Sequence, residues 1–153
     1  MTRLVPLAFL LAAGCGSVGL DGSLTAVMDL SYDSVELRQT LDDVAVAFVR
    51  NNGDTALQVT ASLKDLTLTA GQSVNLAEKL TATTQRGLLS RNVQGDSTTR
   101  FPSLERGTLT LNALPMANGV VSGSFNATFV QGPTEPYGRT VSGKFDAKVL
   151  QVP

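Results

Sequence analysis

The chain has no histidine, no tryptophan and a single cysteine, Cys15. Each absence closes off a chemistry. Without histidine there is no Ser-His-Asp or Cys-His arrangement for nucleophilic catalysis, and no zinc site built on His and Cys. Without a second cysteine no intramolecular disulfide forms, so stability has to come from packing. With no tryptophan and only two tyrosines, the stacking platforms of sugar-binding modules are poorly supplied. The formal net charge is −1, from 12 basic and 13 acidic residues. No block of like charge occurs, so the basic patch on which nucleic-acid binding rests is missing. There is no Gly-x-Ser-x-Gly elbow, no Ser-x-x-Lys and no phosphate loop. No cofactor is implied.

What is present begins at the N-terminus. Met1-Thr2-Arg3 is positive, residues 4–11 are apolar apart from Pro6, and Ala12, Ala13 and Gly14 are small. This is the build of a secretory signal. The apolar run is about half of the ~20 residues that a spanning helix needs. Leu11-Ala12-Ala13-Gly14-Cys15 resembles the lipobox of bacterial lipoproteins, in which small residues precede the acylated cysteine. It departs from the family at Ala12, where leucine is preferred, and Leu11 stands one place further back. The resemblance implies cleavage before Cys15, a diacylglycerol on its thiol and an acyl group on its new amine. Two or three acyl chains anchor stably where one is marginal. Gly16 follows, where the family's inner-membrane retention signal is aspartate, so the resemblance implies an outer-membrane location. The expected division is a signal peptide over 1–14, the lipidated cysteine and a tether over 15–23, and one domain over 24–153. The tether residues 16–23 reach at most ~28 Å when extended.

The rest reads as strands. Apolar and polar residues alternate with period two over 24–32, 35–40, 44–50, 56–63, 66–69, 74–76 and 108–114. Residues 80–84 are a further strand candidate, and 75–79 suit a helical turn. Asn51-Asn52-Gly53-Asp54 between two apolar runs is a hairpin signal, because Asn and Gly both tolerate positive φ. A repeat closes the chain: residues 121–130 match 141–150 at an offset of twenty, Val121-Ser122-Gly123-Ser124-Phe125-Asn126-Ala127-Thr128-Phe129-Val130 against Val141-Ser142-Gly143-Lys144-Phe145-Asp146-Ala147-Lys148-Val149-Leu150. The two prolines and two glycines between the copies predict an antiparallel pair. Gly123 and Gly143 fall on the inward face, where glycine marks a bend or a close approach. This hairpin resembles the C-terminal strands of many small bacterial surface lipoproteins, a likeness that carries no activity. Many short strands with turn signals predict an all-β fold: an antiparallel β-sandwich of Greek-key or jelly-roll type, with a closed β-barrel as the alternative.

Candidate functional residues are few. Asp42-Asp43 is the one adjacent carboxylate pair, but neighbours on a strand point to opposite faces, and turn chemistry accounts for both. Asp29 with Asp33, or Asn51, Asn52 and Asp54, offer oxygen ligands of the kind calcium takes. Neither set has a calcium-loop pattern, so no metal site is expected. Residues 86–107 read as the least regular part of the chain. They hold Arg86, Arg91, Arg100 and Arg106 against Asp96 and Glu105. Loops on a rigid β scaffold commonly carry binding, and arginines recognise anionic headgroups, glycan acids or acidic partners. These four residues, with Tyr137 between Pro136 and Gly138, are the candidate binding loop. The functional expectation is a lipid-anchored cell-envelope protein, held to the membrane through Cys15. Its role is non-enzymatic, binding or structural, with an envelope protein or an anionic ligand as partner. The alternative is a lipocalin-like carrier of a small apolar ligand, which requires an apolar interior cavity.

Overall fold

The computed structural model describes residues 19–94 and 98–151. They form ten strands: β1 (Gly19–Asp21), β2 (Ser34–Gln39), β3 (Asp43–Val49), β4 (Thr55–Ser62), β5 (Ser73–Asn75), β6 (Gly87–Asn92), β7 (Thr99–Arg100), β8 (Leu104–Leu111), β9 (Val120–Phe129) and β10 (Thr140–Gln151). The all-β class holds. The strands make one continuous sheet in the order β5-β8-β9-β10-β2-β3-β4-β6-β7, with β1 added to β10. Every pairing is antiparallel except β10 with β2. That parallel junction was not expected. It joins the first half of the chain to the last, so no crossover helix is needed. β9 takes one edge of β10, and β1 and β2 share the other, opposite Ser142–Lys144 and Lys148–Gln151 respectively.

The sheet curls over its own inner face. Phe48 on β3 lies three strands from Phe125 on β9, about 14 Å along a flat sheet. Their ring centroids are 5.8 Å apart, and Phe48 also meets Phe145 on β10 at 6.2 Å. The two halves thus face each other as a sandwich does, within a sheet that wraps as a barrel does. Val44, Val46 and Phe48, then Leu57, Val59 and Ala61, then Phe125, Ala127 and Phe129 alternate inward and are buried. Burying each of the larger side chains contributes roughly 1.5–3 kcal/mol.

The repeat forms the expected antiparallel pair. Its register sets Gly123 opposite Phe145 and Phe125 opposite Gly143, so each phenylalanine lies over the other copy's glycine. A Cβ on Gly123 would stand 2.6 Å from the Phe145 ring and 2.5 Å from the Thr110 carbonyl oxygen. One on Gly143 would stand 2.8 Å from the Phe125 ring and from the Leu20 side chain.

Several expected elements are corrected. Residues 24–32 are not a strand. The Leu24 N–H still bonds Thr140 O at the start of β10, at 2.9 Å, and Val27 and Met28 then donate their N–H to the Leu24 carbonyl at 3.1 Å. The alternation there serves a turn that drops Leu24 and Leu30 into one end of the core. Residues 66–69 lack a partner strand, because Asp65, at φ 55°, turns the chain away after β4. Residues 80–84 are a turn held by hydroxyls: Thr81 Oγ1 meets Thr84 Oγ1 at 2.6 Å and accepts the N–H of Thr83 and Thr84. Such side-chain bonds compete with a ladder. In the β3–β4 turn only Gly53 has positive φ. Arg50 donates its N–H to Asp54 O at 2.9 Å, so within the five residues between the strands, 51–53 form the loop, with one left-handed position. Residues 86–107 are not an irregular loop, since they contain β6, β7 and the start of β8. The folded part also includes part of the expected tether, because Gly19–Asp21 is paired with β10.

Candidate binding surface

Where β8 and β6 approach each other, the two arms of the sheet are stitched by few backbone bonds. Leu76 donates its N–H to Gly107 O at 2.9 Å and accepts from Gly87 N at 2.7 Å. The side-chain amide of Gln85 supplies the rest. Its Nε2 donates to Leu104 O at 2.7 Å and to Ala77 O at 3.2 Å, and its Oε1 accepts from Leu104 N at 2.7 Å. The amide thus stands in for a peptide unit of the ladder. Arg86 is next, and it is buried. Its Nε donates to Glu78 Oε2 at 2.7 Å, and its Nη1 to the carbonyls of Ser62 and Lys64 at 2.8 and 2.9 Å. The bond from Arg86, with its charge, holds the Glu78 carboxyl below the ordinary carboxylate range. A guanidinium engaged in this way fastens the end of β4 and is not offered to a ligand.

The other expected contact residues are spread over the sheet. Arg91 is half-buried near the end of β6, paired in register with Thr99. It is five residues from Arg86, about 17 Å along a strand. It adds to the field on Asp29, whose carboxyl is lowered first by its bonds with Ser31 and then by the charges of Arg50 and Arg91. Arg106 is exposed on β8, in register with Thr128 beside a bulge. Tyr137 is 39% exposed and lies against Gly132, where a Cβ would be 2.3 Å from the tyrosine ring. The expected set therefore does not converge on one point. Cys15 lies outside the described residues.

Arg100 is the arginine of the set that lines a concavity. With Thr83, Thr84, Gln85, Leu88 and Pro102 it borders a groove of about 230 Å³. Among the described residues its lining holds a guanidinium and hydroxyls and no carboxylate, which suits an anionic or hydroxyl-rich group. Thr83, Thr84 and Gln85 were missed as contact residues. The signal for the two threonines is the hydroxyl-rich run 81–84, part of the strand candidate 80–84, and Gln85 leaves none.

The oxygen-rich turns are internally satisfied. Arg50 bridges Ser31 O and the carboxylate and carbonyl of Asp29, all at 3.0 Å. Asp33 accepts Asn51 N at 2.7 Å. Asp54 accepts from Asn52 Nδ2 at 2.9 Å and Gln94 N at 2.8 Å. Thr40 Oγ1 accepts from the N–H of Asp42 and Asp43. Among the described residues no three His, Cys, Asp or Glu gather as a metal site would need.

Comparison with known proteins gives no match: no family model fits the chain, and neither a curated protein nor a solved structure matches it.

Proposed function

We propose that this is a lipid-anchored protein of the bacterial cell envelope, of the outer membrane by the residue after the cysteine, with a non-enzymatic binding or structural role. One observation carries the reading. The single cysteine closes an apolar leader with small residues before it, and the first described strand starts only four residues later, at Gly19. A lone thiol with no intramolecular partner is awkward in an exported chain, and acylation accounts for it. Among the described residues no helix is long and apolar enough to cross a membrane, so attachment through Cys15 has no competing helical span there. The surface for a partner carries Arg91, Arg100, Arg106 and Tyr137, with Arg100 in the groove beside Gln85. The carrier alternative gains no support from the interior. Phe48, Phe125 and Phe145 occupy it, and even a methyl group on Gly123 would collide with a ring.

Intact mass and membrane fractionation of the native protein and of Cys15→Ser test the reading. The expected wild type starts at Cys15, carries acyl chains and sediments with membranes, and the variant loses both properties. A soluble wild type of unacylated mass overturns the anchor.

A further inference from the structure

The two ends of the curled sheet differ in what they expose. One end is formed by the close of β2, β8 and β10 and the start of β3 and β9. It carries Leu41, Leu114, Met116, Val120 and Leu150, which are 83%, 53%, 72%, 68% and 41% exposed. The other end has only Val27 and Tyr137 as exposed large apolar side chains among the described residues. The apolar residues are neighbours. Leu41 and Leu114 line one groove of about 370 Å³ with Leu63, Leu66, Leu68 and Pro115. Val120 pairs in register with Lys148, and Val149 donates to Gly119 O at 2.9 Å, which brings Leu150 beside the loop of Met116. Clustered exposed apolar side chains mark an interaction surface.

The direction of the chain at Gly19 selects the occupant. β1 runs antiparallel to β10, with Asp21 opposite Ser142 and Gly19 opposite Lys144. Followed backwards, the chain therefore leaves β1 heading for the apolar end. From the level of Lys144 to Leu150 is about 20 Å along a strand. From Gly19 to Cys15 the chain reaches at most ~14 Å, and the glyceryl link of an acylated cysteine extends that reach. The polar end would require an immediate reversal past the loops 22–33 and 130–139.

We propose that the rim bearing Leu41, Leu114, Met116, Val120 and Leu150 rests in the headgroup–acyl boundary of the bilayer that holds the Cys15 anchor, so that the domain stands end-on with its polar end outward. This rests on the lipid-anchor reading given above. Charges near the rim alternate in sign, with Arg38, Lys64 and Lys148 against Asp42, Asp43 and Asp65. The contact is accordingly apolar rather than electrostatic. It needs no anionic lipid and withstands salt. A few apolar side chains at a membrane boundary add to acyl anchoring as a second signal.

The test uses the processed, lipidated protein, in which acylation blocks the native thiol. Met116→Cys and, at the polar end, Asn51→Cys each carry a polarity-sensitive fluorophore in phosphatidylcholine vesicles. The expected result is blue-shifted, quencher-protected emission at position 116 and water-like emission at position 51. Water-like emission at 116, or a blue shift at 51, with acyl chains present by mass, overturns the orientation and leaves the anchor standing. A blue shift at 116 that needs no vesicles and grows with protein concentration assigns the rim to a second copy, which also overturns it. Unlipidated Cys15→Ser carrying the same probe at 116 separates the two readings. A saturable blue shift on titration with vesicles supports rim–lipid contact even if Cys15 proves unacylated, and emission that stays water-like at saturating lipid overturns it. In that protein Leu41→Ser lowers vesicle affinity about tenfold.

Discussion

The β9–β10 pair and the seam between β6 and β8 both hold the curled sheet together, by different means. β9 and β10 are joined along Thr140–Lys148 by an uninterrupted backbone register. Their inner face is fitted by residues of two sizes, each phenylalanine covering a glycine. At the seam the strands cannot pair directly. A side-chain amide, a buried guanidinium and the backbone of Leu76 do the joining. A ladder spreads its stabilisation over many residues, each replaceable in kind. A seam made by side chains concentrates it in a few. Substitutions should therefore cost most at the seam when they remove a polar group, and most in β9–β10 when they add volume.

The largest effect is expected at Arg86. Arg86→Ala removes charge-assisted bonds to Glu78 and to the carbonyls of Ser62 and Lys64, and leaves a buried void. Its cost is about 3 kcal/mol, the lower part of the range for breaking a buried pair, because Glu78 is half exposed and reaches water. Arg86→Lys recovers little of this, since one ammonium does not reproduce a planar fork. Urea unfolding of both variants checks it. A loss below the usual scale of a surface substitution would show that the seam does not depend on this side chain.

In the other region the informative experiment compares the two copies of the repeat. Gly123→Ala drives a methyl group into the Thr110 carbonyl and the Phe145 ring at once. A carbonyl fixed in a ladder cannot move aside, so the expected cost is about 2–3 kcal/mol. Gly143→Ala meets the Phe125 ring edge and the tip of Leu20, with the Gly19 carbonyl oxygen further off at 3.2 Å. Leu20 belongs to the three-residue strand β1 and can shift, so about 1 kcal/mol is expected. Equal losses in thermal unfolding would mean that the copies are equivalent, and that Thr110 does not set the difference.

Gln85→Ala comes next. It leaves the N–H and C=O of Leu104 without their partner, and about 1–3 kcal/mol is lost for an unmatched buried polar group. Gln85→Glu keeps the acceptor, offers one O–H donor when neutral and has no donor when charged. It should fall between wild type and alanine when neutral and no better than alanine when charged. Hydrogen exchange at the Leu104 amide reads this directly. Unchanged protection in Gln85→Ala would show that Gln85 is not part of the ladder.

The contrast also explains what was legible in the sequence. β3, β4, β9 and β10 each bury one face more deeply than the other, so period two locates them, and the glycines on the inner face signal close approach. The seam left no such trace. Gln85 and Arg86 are residue types normally found outside, and nothing local distinguishes an arginine that fastens a strand end from one that awaits an anion. Arg86 was accordingly grouped with Arg91, Arg100 and Arg106, although its burial sets it apart. The alternation at 24–32 failed for a related reason. Leu24 and Leu30 do face the core, but from a turn, and periodicity reports burial rather than the pairing of backbones.

The smallest effect tests whether the seam's ion pair adds to stability through its charge as well as its shape. The Arg86 bond holds the Glu78 carboxyl below its ordinary range, so near that range the unfolded chain binds more protons than the folded one. The contribution is then complete above the ordinary value for glutamate, about 4.3, and is lost as pH falls through the lower folded value. Asp29, lowered by its bonds with Ser31 and by Arg50, behaves in the same direction. The urea midpoint of the wild type should therefore drop between pH 6 and pH 3 by more than that of Glu78→Gln. Because Glu78 is open to water, solvent screens its charge, and the difference should be small beside the loss in Arg86→Ala. If the two proteins lose stability in parallel, Arg86 holds the seam through its carbonyl bonds alone, and the carboxylate is only a surface companion.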